Sequence, residues 1–97
     1  MSLAEIIKSD KPTLVNFHAT WCGPCKAMKP YLDEVVDKYK DGINYERIDI
    51  DQNAELARQF AIRSVPTTII FKNGDVKWRE SGVFPAKDIM PLIDQYL

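Results

Sequence analysis

With 97 residues, 45% of them apolar and 28% charged, the chain can build one hydrophobic core and not two, so it is expected to form a single domain over residues 1–97. A net charge of −1, with acids and bases interspersed, argues against nucleic acid or an anionic membrane as a partner. The start, Met1-Ser2-Leu3-Ala4-Glu5, has neither the basic residues nor the apolar run of a secretory leader, and no later stretch reaches bilayer-spanning length, so a cytoplasmic location is expected.

Residues 2–9 carry Leu3, Ile6 and Ile7 at helical spacing behind Ser2, a good N-cap, and Asp10-Lys11-Pro12 ends that helix. Thr13–His18 reads as a central strand buried on both faces. From Pro24 to about Lys40, apolar residues at Met28, Tyr31, Leu32, Val35, Val36 and Tyr39 mark a long amphipathic helix. Pro30 should kink it, and Asp41-Gly42 should close it, the glycine supplying a left-handed end. Asn44–Asp49 forms a second strand. A strand, helix and strand in this order predict a parallel pair with a right-handed crossover.

Asp51-Gln52-Asn53 offers caps for a short helix over Ala54–Phe60. Strands at Thr67–Lys72 and Asp75–Glu80 flank Asn73-Gly74, a strong hairpin signal, and are therefore antiparallel neighbours. A last helix, about Ala86–Tyr96, turns Ile89, Leu92, Ile93 and Tyr96 inward; Pro85 suits its first turn, and Pro91 predicts a bend or a late start. The sum is an α/β domain with helices on both faces of a small mixed sheet.

The chemistry concentrates in Trp21-Cys22-Gly23-Pro24-Cys25-Lys26, which holds both cysteines of the chain. In a reducing compartment such a pair suits catalysis or metal binding better than a permanent staple. Cys22 falls where the first strand gives way to the long helix, so its sulfur should face unpaired backbone N–H groups and the positive end of the helix dipole, which favour the thiolate. Cys25 lies about one turn further on and is more shielded. Pro24 restricts the intervening loop, so a Cys22-Cys25 disulfide can close with little strain. Cys22 would attack a substrate disulfide and Cys25 would resolve the mixed disulfide. Trp21 would offer a flat apolar surface to a protein substrate. Two plainer readings compete. Zinc needs about four ligands, and His18 is the sole histidine beside two cysteines, so no metal is expected. A structural disulfide spanning two residues would add little stability.

These residues in order make the chain resemble the thioredoxin family over nearly its whole length. The likeness rests on Trp-Cys-Gly-Pro-Cys-Lys after a strand, Pro30 in the next helix, Asp49-Ile50-Asp51-Gln52-Asn53, Ile62-Arg63-Ser64-Val65-Pro66-Thr67, Phe71-Lys72-Asn73-Gly74, and Gly82. On residues alone Val65-Pro66 is an extended or turn dipeptide with cis the minority form. The resemblance implies that Pro66 is a cis-proline opposite the dithiol and that the Val65 backbone pairs with an extended substrate. It further implies that Gly82 and Val83 complete an apolar rim with Trp21, Gly23 and Pro24. Gly82 as an ordinary loop glycine is the plainer reading.

Three departures stand out. The family usually opens with a strand that has no counterpart here, which implies a four-stranded sheet in the order 2-1-3-4, flanked by four helices. The second strand is then an edge, and an otherwise monomeric protein could dimerise through it. Asn16 stands where the family typically has a buried aspartate that helps deprotonate the second cysteine; an amide is no base, and Arg47, matching the usual basic companion, does not give up its proton. His18 stands where tryptophan is usual. It shares a strand face with Asn16, and either takes over part of the proton handling or packs as a polar aromatic.

The expected activity is that of a protein-disulfide reductase. It would need no bound cofactor beyond the Cys22-Cys25 couple, would draw electrons from a partner resembling thioredoxin reductase, and would act on protein disulfides. The alternatives are a redox-sensing or partner-binding module of the same fold, or a disulfide donor or isomerase.

Overall fold

Strand β1 (Thr13–His18) runs through the middle of the sheet because its residues suit burial on both sides: all but His18 are buried. The structure, a computed structural model, describes residues 2–97. Parallel to β1 lies β2 (Asn44–Asp49), and antiparallel on its other side lies β3 (Thr67–Lys72), which pairs in turn with β4 (Asp75–Ser81). The order is β2-β1-β3-β4, as expected, and among the described residues β2 and β4 are the edges. Asn73 (φ 55°) and Gly74 (φ 85°) both take the positive φ that a two-residue hairpin turn requires.

Alternation along β1 divides the core in two. Leu14, with Ile70, faces Met28, Leu32 and Val35 of α2 (Gly23–Tyr39) and Ala86, Ile89 and Ile93 of α4 (Ala86–Asp94). Val15 and Phe17, with Ile69 and Phe71, face the smaller helices α1 (Leu3–Ile6) and α3 (Ala54–Gln59), where Leu3, Ile7, Leu56 and Phe60 close over them. Phe60 sits between Phe17 and Phe71, with ring centroids 5.9 and 5.6 Å away.

The local signals erred in instructive places. Ser2 caps α1 in a full capping box with Glu5, but α1 stops at Ile6 rather than at residue 9. The next carbonyls are taken by the hairpin: Gly74 N–H donates to Ile7 O and Asn73 N–H to Ser9 O. Of the two effects expected at Pro91, a late start is excluded, since α4 begins at Ala86; α2 and α4 each continue past their proline. The residue with positive φ at the end of α2 is Lys40 (φ 46°), not Gly42, because a 3-10 turn over Lys40–Gly42 follows directly. Asn53 sits at the N-cap of α3 without a side-chain cap bond, since its Nδ2 donates to the Asp49 carbonyl.

Candidate active site

The β1–α2 junction places the dithiol. β1 ends at His18, Ala19 and Thr20 turn the chain, and Cys22 becomes the N-cap of α2 with extended backbone. At that position a side chain normally offers an oxygen to the first unpaired amides; here sulfur does so, and the Cys25 N–H donates to Cys22 Sγ at 3.1 Å. Cys22 and Cys25 are joined as a disulfide, with Cα atoms 5.3 Å apart. Both are nearly enclosed, Cys22 at 4% and Cys25 at 1% exposure, with Ala19, Ile50 and Val65 packed around them.

Val65-Pro66 is cis, and the Val65 carbonyl oxygen lies 3.7 Å from Cys22 Sγ. Pro66 is buried while Val65 is partly open. Gly82 (φ +111°) donates its N–H to the Pro66 carbonyl at 2.9 Å, which ties the start of β3 to the end of β4; Val83 beyond it is exposed. Trp21 is 68% exposed and is held from one side by Asp51, whose Oδ2 accepts from Nε1 at 2.8 Å. Gly23, Pro24 and Lys26 lie on the surface beside it.

Beneath the site Asn16 is fully buried. Its Nδ2 donates to Thr68 Oγ1 at 3.0 Å, that hydroxyl in turn lies 3.9 Å from Met28 Sδ, and Asn16 Oδ1 has no donor. Arg47, the register partner of Asn16 on β2, donates from Nη2 to the Cys25 carbonyl at 3.4 Å. His18 shares the face of Asn16 but is seated in a cavity with Lys26, Lys29 and Arg47, and no hydrogen bond joins it to Asn16 or to either sulfur. Burial first, then the Arg47 charge, hold its imidazolium pKa below the ordinary value, while Asp49 pulls the other way.

Sequence reasoning missed several contributors. Asp51 looked like a helix cap and instead braces Trp21. Thr68 was one strand residue among several, and its partnership with Asn16 needs the β1–β3 register. Lys29 gave no signal at all. Among the described residues, no three histidine, cysteine or acidic side chains cluster as a metal site would require, and no helix is long and apolar enough to cross a membrane.

A sulfur pair at a helix N-terminus, with the Val65 carbonyl beside the N-cap sulfur, has the arrangement that thiol-disulfide exchange needs. The family model for thioredoxin matches residues 3–95, and the chain belongs to the thioredoxin family. It is 38% identical over 93 residues to a thioredoxin of Acidithiobacillus ferridurans, an alignment covering 96% of this chain and 86% of that protein. Identity is 37% over 93 residues to thioredoxin 1 of a Nostoc species, covering 96% and 87%. Against the chloroplastic thioredoxin Y of Oryza sativa it is 44% over 90 residues, 93% of this chain but only 54% of that longer protein. As a family member the chain is a protein disulfide oxidoreductase whose redox centre is the Cys22-Cys25 pair.

Proposed function

We propose that the protein acts as a disulfide reductase in which Cys22 attacks and Cys25 resolves, within one domain that draws its electrons from a partner reductase. The observation that carries this reading is the 3.1 Å bond from the Cys25 N–H to Cys22 Sγ at the N-cap of α2. That amide and the helix dipole favour a negative sulfur at Cys22 above any other position in the motif. The Cys22 thiolate attacks one sulfur of a substrate disulfide and expels the other as a thiolate. Cys25, deprotonated, then attacks Cys22 Sγ, the mixed bond breaks, and the second substrate sulfur leaves with its electron pair. Two electrons pass from the protein to the substrate, solvent protonates the released thiolates, and the reductase restores the dithiol.

Trp21, Val65, Pro66, Gly82 and Val83 are assigned to substrate contact. Support comes from the exposure of Trp21 and Val83 and from the Val65 carbonyl beside Cys22 Sγ, a backbone acceptor for an extended peptide. Gly23, Pro24 and Lys26 shape the rim, and Arg47 and Asn16 set the surroundings of Cys25. Both cysteines are consumed by the redox pair, which suits a reducing compartment, and the cytoplasm is our assignment.

The test is insulin reduction with thioredoxin reductase and NADPH. Turnover is expected for the parent, none for Cys22→Ser, and for Cys25→Ser a trapped mixed disulfide through Cys22. Trapping through the other cysteine in Cys22→Ser would refute the assigned order.

A further inference from the structure

Beside the dithiol a cavity of about 280 Å³ is lined by His18, Ala19, Thr20, Lys26, Lys29 and Arg47. Three of these six side chains are cationic and none is acidic, in a chain whose net charge is −1. Asp33 and Asp49 stand outside the walls, each with one oxygen already bonded. Asp33 pairs with Lys29 Nζ at 2.8 Å, both side chains more than half exposed, and Asp49 Oδ1 accepts the backbone N–H groups of Asp51 and Gln52. An exposed pair of the first kind holds its lysine only weakly. Arg47 is under-used: of five guanidinium donors, one reaches the Cys25 carbonyl at a long 3.4 Å, and Nε is buried without an acceptor. A row of lysines on an open helix face would be a solvated surface. Here the lysines border a concave site that opens to solvent, and a half-buried guanidinium fork, suited to carboxylate geometry, stands among them.

We propose that this cavity is a substrate subsite for a carboxylate, so that the protein prefers disulfides flanked by acidic residues; the proposal rests on the disulfide-exchange reading above. Its location fits. Thr20 is two residues before Cys22, at most about 7 Å along the chain, and Lys29 is four residues beyond Cys25, about 6 Å along α2. A peptide whose cystine sulfur meets Cys22 can therefore reach the cavity with a side chain a few residues away. The site also accounts for charged residues that the exchange steps leave unused, Lys26 and Lys29 above all.

The experiment uses two-chain peptides joined by one disulfide, with glutamate or its neutral counterpart glutamine placed one to four residues from the cystine on either side. Reduction by the reductase-coupled protein is read as kcat/KM for each pair. At one or more positions the glutamate peptide should be favoured about tenfold, the size of one charge-assisted contact, and the preference should shrink with added salt. Lys29→Glu, an exposed change on α2 that leaves the core untouched, should push the ratio below one. If every pair is reduced with a ratio within twofold of unity, the subsite is refuted while the reductase reading stands. If Lys29→Glu keeps the parent's preference, the cavity is the wrong location. If no peptide is reduced, both readings fall.

Discussion

Asn16→Asp places a carboxyl in a fully buried position of the sheet, where the neighbours set its cost. Asn16 now spends its Nδ2 on Thr68 Oγ1 at 3.0 Å and leaves Oδ1 without a donor. The neutral acid can keep the first contact by donating its own O–H to Thr68 Oγ1, whereas the ionised carboxylate needs the Thr68 hydroxyl to turn and donate to it, giving up Met28 Sδ. Its second oxygen inherits the empty place. Burial of this depth raises a carboxyl by roughly three pKa units, which at 1.36 kcal/mol per unit makes the charged form about 4 kcal/mol less stable than the neutral one. Arg47, the register partner on β2, offsets part of that, leaving about 3 kcal/mol. The sign follows from linkage: a folded carboxyl raised above its unfolded value contributes stability below the unfolded value, near pH 4, and loses it as pH rises through the folded one. Urea unfolding of parent and variant from pH 4 to pH 8 should show a small gap at the acid end that widens to about 3 kcal/mol at pH 8. In stopped-flow reduction the variant should also resolve its mixed disulfide faster, because it carries a base where the parent has an amide. A gap independent of pH would refute the burial argument, and unchanged resolution would show that proton removal near Asn16 does not limit the second exchange.

The two perturbed tyrosines should part company. Burial first, with the Asp94 contact adding to it, pushes the Tyr39 hydroxyl up to about 12, and that hydroxyl lies 2.6 Å from Asp94 Oδ1, so Tyr39→Phe should cost about 1 kcal/mol in urea unfolding. Burial likewise pushes Tyr45 up to about 12, yet its hydroxyl has no partner, so Tyr45→Phe should be neutral or stabilising by up to about 1 kcal/mol. Both parent tyrosines contribute stability that holds below pH 10 and is lost between pH 10 and 12, so each phenylalanine variant should flatten that alkaline limb. His18, with Arg47, Asp49, Lys26 and Lys29 around it, has a folded pKa below 6.5; the unfolded chain takes up the proton first, and stability should fall as pH drops below 6.5. His18→Gln should remove that acid limb, and its persistence would refute the assignment. The same variant tests proton handling through the pH profile of insulin reduction. Gly82→Ala should cost about 1–2 kcal/mol from backbone strain at φ +111°, although a Cβ there meets nothing within 4 Å, and an unchanged midpoint would count against it.

Much of the fold was readable along the chain. The strand-helix-strand unit, the Asn73-Gly74 hairpin and the helix N-terminus at Cys22 depend on neighbours close in sequence, and they are found at the predicted positions. Helix ends were less legible. α1 stops early because its next carbonyls meet a hairpin more than sixty residues away, and the positive φ fell on Lys40 because the 3-10 turn after α2 needed it there. Pro30 and Pro91 stay within α2 and α4, where packing of Met28, Leu32 and Ile89 against the sheet outweighs one lost backbone bond each.

By itself the sequence determined the reacting pair, since Cys22 and Cys25 are the sole thiols and their spacing sets them one helical turn apart at a helix start. It also set Asn16 and His18 on one face of β1, two residues apart in a strand. Tertiary structure alone decided what surrounds the pair. Thr68 meets Asn16 only through the β1–β3 register, Asp51 meets Trp21 across thirty residues, and the cavity of His18, Lys26, Lys29 and Arg47 exists only once β2 is laid beside β1. The physical reason is range: thiol chemistry and helix capping act over a few bonds of chain, whereas solvent exclusion and charge clustering depend on segments that only folding brings together.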